Sequence, residues 1–345
     1  MKNPKSTLVL FAKLLVSAGL LAFFLSRIDL QIFLRTLASA DLSYVLIALL
    51  AYLVGQLISA VRWIVLSRPL GFAIKITDMT AYYLIGMFFN LFGPGTVGGD
   101  LSKIFYLARD GKKSADGSWS AATLRATVSV VADRTVGMFV LVWLGAAGLL
   151  LFPDYAVPLT VRSATLTLAA GLLIGGLCLP MATRFLPNDG HPLIAKLRVA
   201  LENYGAGWQA IPQAIALSLV VHLIQTWMHV VMGKALNLDV PFSFCLILYP
   251  LVGTFAAIPI TFNGMGLRES GYMFLLGAIG MSSENGIAFG LLLFVIVALD
   301  SLLGGLLFLL KRKEWPSPLP AHEVKRDNCE TASPSQGTTE SQRHR

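Results

Sequence analysis

The apolar residues of this chain come in runs too long for a soluble core. Continuous apolar stretches cover approximately residues 7–26, 43–66, 121–151, 164–183, 212–235 and 285–310. A run of about 18 or more such residues is long enough to cross the hydrocarbon of a bilayer as a helix. Of the 345 residues, 55% are hydrophobic and only 13% charged, about half the charged fraction of a soluble domain. The chain therefore reads as an all-α polytopic membrane protein with six full spans. The N-terminal run follows Lys2 and Lys5 and is interrupted by Lys13. It is longer than a secretory signal core, which favours a retained first helix even though the small-residue LASA follows at 37–40.

Two further regions are apolar but broken. In 78–108, about fifteen apolar residues lead into Gly93-Pro94-Gly95, and the continuation carries Asp100 and Lys103. In 240–281, Pro250, Pro259 and Asn263-Gly264-Met265-Gly266 interrupt the run. Irregular backbone at membrane depth persists only where protein buries it or it lines a wet cavity. Both regions read as re-entrant helical hairpins. The order span, hairpin, span then occurs twice: 43–66, 78–108, 121–151, and again 212–235, 240–281, 285–310. The first hairpin enters from the cytoplasm and the second from outside, an inverted repeat of the transporter kind. Sequence similarity between the halves is weak, so this expectation rests on topology.

The net charge of +8 does not point to nucleic acid, because most Lys and Arg sit in short loops between spans. Segments holding Lys2 and Lys5, Arg68 and Lys75, Arg109, Lys112 and Lys113, Arg184, Lys196 and Arg198, and Lys311-Arg312-Lys313 fall on one side; Arg27, Arg35 and Arg162 fall on the other. That bias places both termini in the cytoplasm. Residues 192–210 carry Leu193, Leu197, Leu201, Tyr204 and Trp208 near one helical face, as in a helix lying on the membrane surface. The expected organisation is a membrane domain over 1–313 and a polar, disordered cytoplasmic tail over 314–345. Three cysteines, two in apolar runs and one in the tail, imply no disulfide framework.

The string Gly93-Pro94-Gly95-Thr96-Val97-Gly98 matches G-x-G-x-x-G. A dinucleotide fingerprint needs a preceding strand, a following helix and a βαβ context. Membrane helices surround this one, so the glycines and Pro94 break a helix at a hairpin tip instead. No Walker A, H-E-x-x-H or nucleophile-elbow sequence occurs. No cofactor and no metal are expected. His222 and His229 lie seven residues apart on one face of a span and read as packing or hydrogen-bonding groups.

Arg62, Asp133, Arg134, Arg268, Glu269 and Asp300 fall within membrane segments or at their broken centre. A charge at the bilayer centre costs roughly 2.5–3.5 kcal/mol even on the lenient insertion scale, so such residues pair or face a wet path. The three arginines balance the three carboxylates. Asp100 and Glu269 each follow a glycine-rich break where a helix should begin. Each either caps that helix or helps build a midplane site where two half-helix N-termini meet an anionic head group. In the second reading Lys103 and Arg268 add cationic contacts, and the carboxylates bind a coupling proton or a lipid amine. Asn90 and Asn263, at the two tips, either satisfy freed backbone or contact a ligand.

GPGTVGGDLSKIFYLARD, IPITFNGMGLRES and VVADRTVG together resemble the signatures of the lysylphosphatidylglycerol-synthase transmembrane family, also called flippase-like membrane proteins. The resemblance covers about residues 5–312. Lys103 stands where the family pattern usually has Arg, which keeps the charge and loses the bidentate fork. The resemblance implies a bacterial inner-membrane protein linked to lipid translocation. Relatives join this unit to a soluble aminoacyl-transferase domain, which this chain is expected to lack, so a non-enzyme is expected. The candidate substrate-binding residues are Asn90, Gly95, Gly98, Gly99, Asp100, Lys103, Asn263, Gly264, Gly266, Arg268 and Glu269. Arg62, Asp133, Arg134 and Asp300 form a candidate charge network. The expected partner is a membrane lipid, with a lipid-modifying or glycosyl-transferring enzyme as a second partner. An ion-coupled carrier of a small anion, a non-transporting partner of such an enzyme, and an intramembrane acid-base enzyme are the other readings.

Overall fold

Every described element is helical, as the apolar runs require when no water is present to satisfy backbone groups. The computed structural model describes residues 31, 35–36, 38–92, 96–114, 119–185, 204–205, 207–258, 261, 264 and 266–311. In chain order the helices are α1 (Leu42–Ser67), α2 (Ile76–Phe92), α3 (Thr96–Ser114), α4 (Trp119–Leu151), α5 (Leu159–Phe185), α6 (Ala210–Ala235), α7 (Phe242–Ala256), α8 (Leu267–Gly277) and α9 (Ser283–Lys311). Residues up to Leu307 belong to one compact unit; a second begins at Phe308 and is described only to 311.

Among the described residues, five stretches are long and apolar enough to cross a membrane: Leu42–Leu70, Trp119–Leu151, Leu159–Cys178, Ala210–Ala235 and Ser283–Leu310. The expected span over 7–26, most of the surface helix over 192–210 and the tail over 314–345 lie outside the described residues. Between the spans lie two helix pairs. At 1.5 Å per residue, α7 is about 22 Å long and α8 about 17 Å, both short of a hydrocarbon core of about 30 Å.

The core is organised around α1 and α6, which pack along their length and run antiparallel. At one end the Asp41 backbone N–H donates to the Ala235 carbonyl at 2.8 Å, and Asp41 caps α1 by accepting from the Ser43 N–H. At the other end the Tyr204 hydroxyl donates to the Leu66 carbonyl at 2.8 Å. Around this axis α2 packs on α1, α3 on α2 and α4 on α3; α7 packs on α6, α8 on α7, and α4 also on α7. Gly286 of α9 faces Met273 of α8, and Gly304 of α9 closes on the Leu84 carbonyl of α2.

Pro250 departs from expectation. It does not break its apolar run but sits inside α7. Proline leaves the carbonyl four residues back without its helical donor. That carbonyl, Leu246, is the atom Gly148 of α4 approaches, so closely that a Cβ at Gly148 would lie 2.8 Å from it. The actual break comes between α7 and α8, where Gly264 and Gly266 have φ of +74° and +83°, a conformation open to glycine at little cost.

Candidate functional site

The arms of the first helix pair meet through glycine. A side chain at Gly99 would collide with the Gly86 carbonyl and the Asn90 side chain, and one at Gly86 would meet the Lys103 stem. Backbones this close draw Lys103 over α2. Its side chain is buried, with Nζ 3.5 Å from the centre of the Tyr83 ring and 5.7 Å from that of Trp63. A cation over two aromatic faces gains electrostatic stabilisation that replaces part of its lost hydration.

Trp63 sits on α1 next to Arg62, which is 6% exposed. Arg62 Nε donates to Asp133 Oδ1 of α4 at 2.8 Å, and Nη1 donates to Ser218 Oγ of α6 at 2.9 Å. Gly137, one turn beyond Asp133, leaves room for the guanidinium: a Cβ there would lie 3.0 Å from Nη1. Trp63 Nε1 donates to Ser129 Oγ of the same helix at 3.2 Å. Arg134 follows Asp133 and turns the other way. Its Nε and Nη2 donate to the two oxygens of Asp100 at 2.5 and 2.9 Å, a bidentate pair between α3 and α4. Unlike the Arg62 pair, this one is open, with 48% of the Arg134 side chain exposed. Leu101, Phe105 and Val131 are exposed on the same two helices. Lys103 lies within electrostatic range of Asp133, Asp100, Arg134 and Arg62, so the charges of the first half form one cluster.

Asp100 is the fifth residue of α3 rather than one at its start, because the helix begins at Thr96. Its carboxylate is taken by Arg134 instead of the helix terminus. Glu269 takes the capping role: its Oε2 accepts from the Gly266 N–H at 2.6 Å, and the residue is 2% exposed. Arg268 is half-buried and within electrostatic range of Tyr52, His229 and Tyr272. Asp300 is 1% exposed, and neither carboxylate oxygen has a hydrogen-bond partner among the described residues. Of the remaining candidates, Gly98 begins the Gly98-Gly99 step of α3, while Gly95 and Asn263 lie outside the described residues.

Ser218, Ser129, Trp63, Tyr83, Tyr249 and Tyr272 were not singled out from sequence. Tyr249 and Tyr272 partner the two histidines. His222 bonds the Gly137 carbonyl through Nε2 at 2.9 Å and the Tyr249 hydroxyl through Nδ1 at 2.8 Å. His229 bonds the Gln225 carbonyl through Nδ1 at 2.7 Å and the Tyr272 hydroxyl through Nε2 at 2.7 Å. A carbonyl only accepts, so the neutral rings are opposite tautomers and each tyrosine donates. Tyr272→Phe is expected to lower stability by about 1–3 kcal/mol by leaving a buried ring nitrogen without a donor. Thermal unfolding of the variant in detergent measures this.

An apolar cavity of about 900 Å³ lies among α4, α5, α7 and α8, lined by Val142, Leu168, Leu251 and Phe274 among others. Its wall on α8 begins at Ser270, next to Glu269.

Long apolar helices, short helix pairs between them and a charge cluster packed among them define a polytopic α-helical membrane protein. Residues 10–304 match the family model described as the lysylphosphatidylglycerol synthase TM region, and the chain belongs to that family. It is 28% identical over 168 residues to the UPF0104 membrane protein PH1989 of Pyrococcus horikoshii. That match covers 48% of this chain and 47% of the relative, so the chain spans about half the length of the curated relative it matches. No solved structure matches the chain significantly.

Proposed function

We propose that the protein moves a lipid with an anionic or polar head group between the leaflets of a bacterial inner membrane, with both termini cytoplasmic. The observation that carries this reading is the Arg134–Asp100 pair, whose side chains are 48% and 22% exposed, with Arg134 near the middle of a long apolar helix. Arg134 is the sixteenth of the 33 residues of α4, about 22 Å from its start and about 26 Å from its end at 1.5 Å per residue. A charge pair at that depth does not face hydrocarbon, because lipid offers it no hydrogen bonds. In this reading it faces a ligand head group, with exposed Leu101, Phe105 and Val131 beside it for the apolar part of the same ligand. Arg134 offers a guanidinium to a phosphate, and Lys103 and Arg62 lie behind it. The apolar cavity beside α8 gives acyl chains a place next to the second motif.

The two helix pairs act as re-entrant hairpins of an inverted repeat. Contacts in one half have counterparts in the other, which supports this. α1 on α2 corresponds to α6 on α7, α2 on α3 to α7 on α8, and α4 on α7 to α9 on α2. α3 meets α4 at Asp100 and Arg134, and α8 meets α9 at Glu269 and Gly290. The leading helices of the two halves, α1 and α6, are antiparallel, as inversion requires. The matched family region is that of a lipid-making synthase, so an enzyme modifying the same lipid is the second proposed partner.

The test is lipid movement by the purified chain in phosphatidylcholine–phosphatidylglycerol vesicles carrying a fluorescent phosphatidylglycerol, read by dithionite quenching. Arg134→Gln is expected to slow movement about tenfold or more, since a hydrogen bond to a charged group contributes about 1.5–3 kcal/mol. Solute uptake without lipid movement would replace this reading with that of an anion carrier.

A further inference from the structure

The two halves carry the same short pattern on their last helices, and its acid is treated differently in each. On α4 it reads Val130-x-x-Asp133-x-x-x-Gly137, and on α9 Val297-x-x-Asp300-x-x-x-Gly304. Both glycines permit close approach. Gly137 admits the Arg62 guanidinium, whereas Gly304 admits the Leu84 backbone. Asp133 thereby gains an ion pair. Asp300, in the matching place, is equally buried but has no hydrogen-bond partner among the described residues, and the hydroxyl of its neighbour Ser301 also lacks one. A buried carboxylate without a cation or donor is strongly disfavoured as an anion and neutralises instead.

From this asymmetry we infer that Asp300 is a proton-binding site that couples the protein's movement to a proton gradient. The carboxylate takes up one proton to become a neutral acid, and releases it when a conformational change opens the site to water on the other side. The groups around it suit that role. Tyr52 of α1 lies within electrostatic range of Asp300 and of Arg268. From α8, Arg268 lies within electrostatic range of the same Tyr52, whereas Glu269 is held by the Gly266 N–H and meets α9 at Gly290, ten residues or about 15 Å of helix before Asp300. From α6, His229 meets α9 at Phe289, eleven residues or about 16 Å of helix before Asp300. α2 presents Leu84 and Phe88 to α9, with Tyr83 next in the chain. A dehydrated sodium ion would need several oxygen ligands held at once. A proton needs only the one carboxylate.

Proton coupling is additional to the lipid-translocation reading, and two measurements on the full chain separate them. The first is infrared difference spectroscopy of the protein in vesicles across a pH step, which sees protonated carboxyl groups without any lipid movement. Wild type is expected to show a buried carboxylic acid band that Asp300→Asn lacks. Absence of the band from wild type, or its persistence in the variant, overturns the inference. Asp300→Asn resembles the neutral acid in shape and charge, so it is expected to fold, and the unchanged thermal unfolding of the variant checks this. The second measurement uses the fluorescent phosphatidylglycerol vesicles with an imposed pH difference. If one proton moves per lipid, a difference of one pH unit shifts the steady-state leaflet distribution about tenfold, and Asp300→Asn abolishes the shift while retaining exchange between leaflets. A shift of equal size in the variant, or one driven by sodium and not by protons, overturns the inference. Absence of lipid exchange in wild type, with the carboxyl band present and lost in the variant, overturns the translocation reading and leaves proton binding by Asp300 standing.

Discussion

Arg62→Met is expected to destabilise the purified protein by about 3–5 kcal/mol, the usual cost of removing one member of a buried ion pair. Arg62 and Asp133 have side chains only 7% and 6% exposed, so water cannot take the place of the missing partner. The loss is the energy of a carboxylate stranded inside a membrane protein, together with the Ser218 hydroxyl left without its donor. The double variant Arg62→Met/Asp133→Leu is therefore expected to recover most of the loss, since it removes both charges. Thermal unfolding of wild type, both single variants and the double variant completes the cycle. A double variant no more stable than Arg62→Met would mean that the stranded charge is not what destabilises the single variant.

Gly99→Val is expected to cost about 3 kcal/mol or more, above the 1–3 kcal/mol typical of overpacking. An added Cβ there meets the Gly86 carbonyl and the Asn90 carboxamide, and a backbone carbonyl has no rotamer through which to move aside. The arms of the first helix pair would be forced apart, and with them Lys103, whose stem lies across Gly86. Gly171→Val is the control, because nothing lies within 4 Å of that position. It carries the same β-branched residue in a helix and is expected to change stability by about 0.5 kcal/mol or less, as at an open surface position. Equal unfolding temperatures for the two variants would refute the close packing of α2 and α3.

The site was only partly legible in the sequence. Charged residues inside apolar runs marked themselves, because each must be compensated. Which partner compensates each one was not legible. Charge balance allowed Arg134 to pair with any of three carboxylates, yet it binds Asp100, an acid read as belonging to a helix terminus. That outcome depends on where α3 starts, at Thr96, and on the α3–α4 packing, neither of which composition reveals. Ser218 lies 156 residues from Arg62 in the chain. Nothing in its local sequence distinguishes it from any serine on an apolar helix. Tyr249 and Tyr272 were hidden for the same reason, since a tyrosine in an apolar run reads as packing until a histidine is found opposite.

Sequence alone determined that the chain is helical and membrane-embedded, where five of its long spans lie, and which residues carry charge into the apolar region. Hydrophobic length and the cost of bare charge are local quantities, so they can be read along the chain. The tertiary structure decided that α1 and α6 run antiparallel as the central axis, that Pro250 is absorbed within α7, and that Asp133 is paired while Asp300 has no hydrogen-bond partner among the described residues. These depend on which backbones approach closely enough to touch. The approach is set by small residues such as Gly86, Gly99, Gly137 and Gly304 meeting partners far away in the sequence.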